Sequence, residues 1–158
     1  PFRGGTLAAG VRAGLAKSLV GCAPEANPLC LPNLDTPIVE RAFAGGRTTH
    51  RSFPLDDLGV DGQTLKDGRG IGGNALLLAN LEWRVPLAGG LGLVLFADWG
   101  NVWSGPSYVK AGEGRWGAGL GLHYLTPVGP FRLEYCFRLD RKTNEDAGAL
   151  SFSIGYPF

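Results

Sequence analysis

Apolar and polar residues alternate with a period of two near the start of the chain and through most of it after residue 72. In FRLEYCFRLD, residues 131–140, every odd position is apolar, whereas the even positions carry two arginines, a glutamate, a cysteine and an aspartate. A period of two is typical of β-strands, because successive side chains point to opposite faces. The pattern predicts six strands, at residues 6–16, 72–85, 91–103, 115–125, 131–140 and 150–158.

The length of these strands bears on the environment of their apolar face. Strands of soluble sheets usually have about 5–6 residues, whereas a tilted transmembrane strand needs about 9–11. The opposite face carries charges of both signs and many glycines, as the wall of a wet lumen does. Aromatic residues gather near the strand ends, as in the girdles of membrane barrels; they are Trp83, Trp99, Trp103, Trp116, Tyr124 and Tyr156. We therefore predict an all-β, antiparallel transmembrane β-barrel, with Trp99 and Trp103 on the same apolar face.

The connections between the predicted strands alternate between short and long. The short ones are PLAGG (86–90) and TPVGP (126–130), and the long ones cover 104–114, 140–149 and, longest of all, 17–71. Membrane barrels have short turns on the periplasmic side and longer loops on the outer side. This order predicts that the 17–71 loop, which has no clean strand or helix pattern, lies on the outer side of the membrane and that the C-terminus lies in the periplasm.

Six strands are too few for an ordinary single-chain barrel, whose smallest examples have about eight. An open sheet edge in lipid would leave backbone groups unsatisfied. We therefore expect residues 1–158 to be the C-terminal part of a larger barrel, or else one protomer of an oligomeric barrel. The absence of methionine and of a signal peptide at the start also suggests a piece of a longer precursor.

Composition excludes several classes of protein. Fifteen basic and fourteen acidic residues give a net charge of +1, so nothing predicts nucleic acid as a partner. No apolar run approaches the roughly 18 residues of a membrane-spanning helix. The sequence has no nucleophile elbow, and GEGRWGAGLG lacks the lysine and following helix of a phosphate-binding loop. We expect neither an enzyme nor a bound cofactor or metal.

Cysteine placement leaves two alternatives open. Cys22 and Cys30 bracket a polar, proline-bearing segment of the long loop, whereas Cys136 lies alone in a predicted strand. A disulfide between Cys22 and Cys30 is one alternative if the loop faces an oxidising compartment. Two unrelated thiols are the other, and the spacing matches no zinc motif.

Five motifs occur in order and together resemble the C-terminal barrel of the BamA/TamA superfamily of outer-membrane assembly and translocation factors, also called the bacterial surface antigen family. The first, ERAFAGGRTTHRSFPLDDLG, resembles the loop signature of that family, with paired glycines at Gly45 and Gly46. The others are IGGNALLLANLEWRVPL, LFADWGNVW, GLGLHYLTPVGPFRLEY and the terminal FSIGYPF. The resemblance covers nearly the whole chain.

The resemblance implies a role for the long loop, which in this family folds back into the lumen as a plug. The matching arginine is Arg51, with Phe53 as the aromatic of the motif, and its partners on the wall are Glu82 and Asp98. The alternation pattern independently places both acids on the polar face. The family glycine after the arginine is Ser52 here, which leaves the geometry of the loop tip open. The alternatives are a solvated Arg51, and acids paired only with neighbouring arginines of the wall.

The last strand carries the implied mechanism, in which the barrel opens laterally at its seam and the strand edge templates incoming strands. Its apolar face is formed by Phe152, Ile154, Tyr156 and Phe158, and an aromatic C-terminus resembles the assembly signal of outer-membrane barrels. The resemblance implies an integral protein of the bacterial outer membrane. Its expected partners are membrane lipids, unfolded outer-membrane or secreted proteins, and missing barrel strands and periplasmic domains of the same polypeptide.

Three alternatives remain. A two-partner secretion pore of the same superfamily would move a soluble substrate through the lumen. A plain porin or autotransporter barrel would carry the motifs by coincidence. A soluble β-sandwich would bury the apolar face against a second sheet.

Overall fold

A computed structural model describes residues 4–17, 36–127, 129–143 and 145–154 of the chain. Its strands are β1 (Thr6–Leu15), β2 (Leu65–Lys66), β3 (Arg69–Gly70), β4 (Ala75–Pro86), β5 (Leu91–Trp103), β6 (Arg115–Thr126), β7 (Gly129–Arg138) and β8 (Gly148–Ile154). Short 3-10 helices lie at Ile38–Glu40, Pro106–Tyr108 and Ala111–Glu113. Within the described ranges, no helix has the length and apolar character needed to cross a membrane.

The six long strands form one antiparallel sheet in the order β1-β4-β5-β6-β7-β8, so each strand pairs with its neighbours along the meander. The predicted all-β antiparallel fold is confirmed. Short turns join β4 to β5 and β6 to β7, and longer connections join the other pairs. β1 and β8 are the two edges of the described sheet.

Two strand ends differ from the predicted ranges for a visible reason. β4 begins at Ala75 rather than at residue 72, because Gly73 forms a bridge with Ala42 in the connection between β1 and β2 instead of with β5. β7 ends at Arg138, because the chain turns so that the Asp140 carboxylate accepts a hydrogen bond from Arg115 Nε at 3.0 Å. Of the last predicted strand, residues 155–158 lie outside the described part of the chain.

One face of the sheet is apolar and open. Large apolar side chains on this face are 37–77% exposed; they include Leu7, Val11, Leu15, Leu81, Trp83, Leu95, Trp116, Leu120, Leu133, Phe137, Leu150 and Phe152. A soluble monomer rarely exposes so large a contiguous apolar surface. The face that the alternation predicted to meet lipid is therefore the open face of this sheet.

Trp103 is an exception to this exposure. It is fully buried, although the continuous pairing of β5 with β4 leaves it on the same side of the sheet as Trp99. Its indole Nε1 donates a hydrogen bond to Glu113 Oε2 at 3.1 Å, and Asn101 Nδ2 donates to the Glu113 carbonyl at 2.6 Å. The connection at residues 104–114 thus folds back over the end of β5, which period-two alternation cannot indicate.

The opposite, inward face is covered by the described part of the long connection, residues 36–71, which we call the long loop. It contains a hairpin formed by β2 and β3, whose turn residues Asp67 and Gly68 have φ of 53° and 77°. Asp-Gly is a favoured pair for such a two-residue turn. Two apolar clusters form beneath the loop: Ala44, Phe53, Leu58, Leu76, Leu78 and Val102 in one, and Val94, Phe96 and Cys136 in the other.

Candidate functional site

Arg51 lies at the tip of the long loop and binds two strands of the sheet at once. Its Nε and Nη2 donate to the two oxygens of Asp98 at 2.9 and 2.8 Å, and its Nη1 donates to Glu82 Oε2 at 2.8 Å. The backbone N–H of Arg51 also donates to Asp98 Oδ2 at 3.0 Å. A planar guanidinium suits this bidentate arrangement in a way that a lysine ammonium does not. The predicted contact is therefore present in the geometry, with Glu82 on β4 and Asp98 on β5.

The Arg51 contact is buried, which determines its energetic weight. The Arg51 side chain is 8% exposed and the Asp98 side chain 0%. Burial opposes the charge on Arg51, but the hydrogen bonds to Asp98 and Glu82 together with the negative charges around it outweigh burial and raise the pKa of Arg51 above its ordinary value. The Arg51 guanidinium also lies over the Phe96 ring, with Cζ 3.6 Å from the centroid. Loss of one partner from such a buried pair typically costs about 3–5 kcal/mol, because the other charge stays buried.

The sheet holds the two acids in place through polar neighbours. Asn80 Nδ2 donates to Asp98 Oδ1 and to the carbonyl of Thr49 in the long loop, both at 2.8 Å. Glu82 also binds Arg84 at 2.5 Å and Arg132 at 3.1 Å. Glu82 thus combines both alternatives left open by the sequence, since it pairs with arginines of the sheet as well as with Arg51.

The paired glycines allow the long loop to close on itself. Gly45 and Gly46 have φ of 119° and 84°, a region that residues with a side chain rarely adopt. A Cβ at Gly45 would lie 2.1 Å from the carbonyl oxygen of Pro54. The Gly46 N–H donates to the carbonyl of Phe53 at 2.8 Å, which closes the tip.

Ser52 fits its position without backbone strain. Among the described non-glycine residues, positive φ occurs only at Asp56 and Asp67, so Ser52 does not need the freedom of a glycine. Its hydroxyl forms a hydrogen bond of 3.0 Å with His50 Nδ1, and both residues are fully buried. Room for Ser52 comes from Gly117 of β6, where a Cβ would lie 2.7 Å from Ser52 Oγ.

Sequence reasoning missed three residues that hold the tip. His50 Nε2 lies 3.1 Å from the carbonyl oxygen of Arg115, and burial lowers the pKa of His50, which favours its neutral form. Arg138 Nε donates to the carbonyl of Ser52 at 2.8 Å. The guanidinium carbons of Arg115 and Arg138 lie 4.8 and 4.5 Å from the centroid of the Phe53 ring. The only available signal was the position of both arginines on the polar face.

The remaining predicted site residues lie elsewhere. Phe152 and Ile154 are 57% and 59% exposed on the open face of the edge strand β8, far along the chain from the Arg51 contact. Tyr156 and Phe158, and the two thiols Cys22 and Cys30, lie outside the described residues. Within the described ranges, no group of three or more metal-binding side chains is close enough to hold a metal ion.

Comparisons with known proteins give a family model that matches nearly the whole chain and relatives that match about three quarters of it. The sequence model of the Omp85 superfamily domain matches residues 3–158. Outer membrane protein assembly factor BamA of Neisseria meningitidis serogroup B is 25% identical over 157 residues, covering 78% of this chain and 19% of that protein. Outer envelope protein 80, chloroplastic, of Arabidopsis thaliana is 27% identical over 127 residues, covering 72% of this chain and 16% of that protein.

A solved structure shares the fold. The crystal structure of BamA from Haemophilus ducreyi lacking POTRA domains 1-3 superimposes with a TM-score of 0.57 at 22% identity. The match covers 75% of this chain and 27% of that chain. This chain therefore spans a fifth or less of the length of these curated relatives, and about a quarter of the solved one.

Proposed function

We propose, from the premise that this chain belongs to the Omp85 superfamily, that it forms part of an outer-membrane barrel which inserts other barrel proteins into the membrane. The names of its relatives from Neisseria and Arabidopsis both refer to an outer membrane or envelope. The open apolar face of the sheet fits an integral position in such a membrane, because lipid would cover it. Missing barrel strands and periplasmic domains belong to this proposal too, since the chain spans a fifth or less of the curated relatives.

The observation that carries the proposal is the docked tip of the long loop. A buried arginine that binds β4 and β5 together fixes the loop against the wall. The loop covers the inward face around Asp98, and a polar cavity of about 320 Å³ remains beside it, lined by residues that include Glu82, Arg84 and Arg132. The long loop also reaches the edge strand, because Arg47 Nη1 donates to the carbonyl of Phe152 in β8 at 2.8 Å.

We assign to the edge strand β8 the contact with the barrel proteins that are being inserted. Its only strand partner in the described sheet is β7, so one side of its backbone has no paired strand there, and the Phe152 carbonyl accepts a hydrogen bond from Arg47 of the long loop at 2.8 Å. An unpaired strand edge offers N–H and C=O groups to an incoming strand, which is the basis of β-augmentation. This mechanism needs no cofactor, because hydrogen bonding of the backbone and burial of apolar side chains supply the free energy.

The first experiment replaces the native protein by an Arg51→Glu variant in the organism that carries it, and measures the folded amounts of several unrelated outer-membrane barrels. Repulsion from Glu82 and Asp98 is expected to release the tip and lower all of these amounts together. Loss of one secreted protein with unchanged barrels would instead identify the secretion pore. Normal amounts of both, with steady ion conductance, would contradict the proposal and favour a plain pore.

The second experiment tests the role of β8 directly. A photo-crosslinking side chain at Phe152 of the edge strand is compared with one at Leu120 of the central strand β6, since both positions are about half exposed on the same face. Crosslinks to unassembled barrel proteins are expected from position 152 and not from position 120. Equal crosslinking at both positions would contradict strand templating.

A further inference from the structure

Phe53 is held by two arginines from different strands. Arg115 begins β6 and Arg138 ends β7, and each places its guanidinium over the Phe53 ring within 5 Å of the centroid. The Phe53 ring is 6% exposed, so these cation–π contacts are shielded from water. Such contacts are stronger in a desolvated site than on a surface.

The same two arginines also hold the connection between β7 and β8, residues 139–147, which we call the β7–β8 loop. Arg115 donates through Nε to Asp140 at 3.0 Å, and through Nη1 and Nη2 to the two oxygens of Glu145 at 2.9 and 2.5 Å. Arg138 donates through Nη1 to the carbonyl of Asp146 at 3.3 Å. The Arg115 side chain is 6% exposed, whereas Glu145 is 21% exposed and so lies near the surface.

Both arginines also form a hydrogen bond with the tip, Arg115 through its backbone carbonyl to the His50 side chain and Arg138 through its guanidinium to the backbone. The carbonyl oxygen of Arg115 lies 3.1 Å from His50 Nε2, and Arg138 Nε donates to the carbonyl of Ser52 at 2.8 Å. Each arginine therefore contacts both the long loop and the β7–β8 loop. Release of one loop removes part of the support of the other, because the guanidinium of Arg115 then loses its carboxylates, and that of Arg138 loses the Asp146 carbonyl, so that neither plane stays fixed.

We propose that Arg115 and Arg138 are positioning residues that join the tip of the long loop to the β7–β8 loop, so that the two open together. This coupling is separate from the contact of Arg51, which joins the tip to the wall. It goes beyond the proposed function, since it depends only on the contacts among these residues. Its consequence is that a partner bound to the β7–β8 loop changes the stability of the tip inside the barrel.

A double-mutant cycle tests the coupling in the complete native polypeptide held in detergent micelles. The variants are Phe53→Leu, Glu145→Gln and the two combined, and the measurement is hydrogen–deuterium exchange in segments 47–55 and 139–147. Each single change is expected to raise exchange in both segments roughly tenfold or more, since a charge-assisted bond or a buried ring contact is lost. The double variant is expected to exceed the larger single effect only slightly. Exchange that rises only in the segment carrying the change, with additive effects, would overturn the proposal.

Two further variants distinguish coupling through the planar guanidinium of Arg115 from an effect of positive charge alone or of an exposed ion pair. Arg115→Lys keeps the positive charge but loses the fork and the planar face; it is expected to raise exchange in both segments, and wild-type exchange would overturn the role assigned to Arg115. Asp61→Asn removes an exposed ion pair with Lys142, which also joins the two loops but is 65% and 50% exposed. It is expected to have little effect, and coupling as strong as that of Glu145→Gln would refute the assignment to the arginines. Because exchange does not depend on client assembly, failure here is distinct from failure of the proposed function.

Discussion

Replacement of Arg51 by methionine is the change whose size the structure defines best. Methionine keeps much of the length of the side chain and removes its charge and its three side-chain hydrogen bonds to Asp98 and Glu82. Glu82 keeps two other arginine partners. Asp98, with a fully buried side chain, keeps only the amide of Asn80 and one backbone N–H among its described hydrogen bonds.

The expected cost follows from the burial of Asp98. Leaving one member of a buried pair without its partner typically costs about 3–5 kcal/mol. At about 1.4 kcal/mol for each factor of ten, this corresponds to roughly a hundred-fold to several-thousand-fold increase in the opening of the tip. A surface pair is worth only about 0–1 kcal/mol, so an ordinary exposed arginine would change opening little.

Hydrogen–deuterium exchange in segment 45–58 of the complete protein in detergent measures this opening. The control is Asp61→Asn, which breaks an exposed pair between the long loop and Lys142 of the β7–β8 loop. The combined variant Arg51→Met with Asp98→Asn removes both charges and is expected to exchange more slowly than Arg51→Met alone. If Arg51→Met exchanges no faster than the Asp61→Asn control, the inference that Arg51 fixes the tip is wrong.

Three further predictions concern the space beneath the tip at Gly117, the response of the β7–β8 loop to low pH, and the open apolar face at Leu120. Gly117→Ala places a Cβ about 2.7 Å from Ser52 Oγ, so exchange in segment 45–58 should rise, whereas Gly10→Ala, with nothing within 4 Å, should leave it unchanged. The hydrogen bond from the arginine fork lowers the pKa of Glu145 from 4.5 to about 2. The Glu145 carboxylate should therefore stabilise the β7–β8 loop fully above pH 4.5, and this stabilisation should be lost as the pH falls through about 2. Hydrogen–deuterium exchange in segment 139–147 measures this pH dependence, which Glu145→Gln should abolish. Replacing Leu120 on the open face by arginine should destabilise the folded protein by about 2–4 kcal/mol near the membrane centre. The measurement is the amount of folded protein in membranes, which should fall. An unchanged amount would argue against lipid at this position.

The sequence predicted the strands well because their signal is local. Period-two alternation placed β5 at its observed ends, 91 and 103, and placed Glu82 and Asp98 on the inward face. The resemblance to a family then singled out Arg51 among the loop arginines, and the structure brings Arg51 to both acids. Both steps use information that neighbouring residues carry.

The rest depends on contacts between distant segments. Arg138 binds Ser52 across 86 positions of the chain, and no local pattern distinguishes it from the other arginines of the sheet. Val94 and Phe96 lie on the inward face beneath the long loop, although an apolar residue there breaks the simple division into wet and lipid faces. Trp103 is buried by a connection whose path alternation does not describe.

The spacing of these contacts has a consequence for how the protein folds. The tip at residues 50–53 binds Glu82, Asp98, Arg115 and Arg138, which lie on four successive strands, β4 to β7. Contacts between residues so far apart in sequence form late, because the chain must first lose the entropy of closing long loops. The tip cannot reach its full set of bonds until all four strands are aligned. Docking of the tip therefore marks the point at which this part of the barrel has reached its native register.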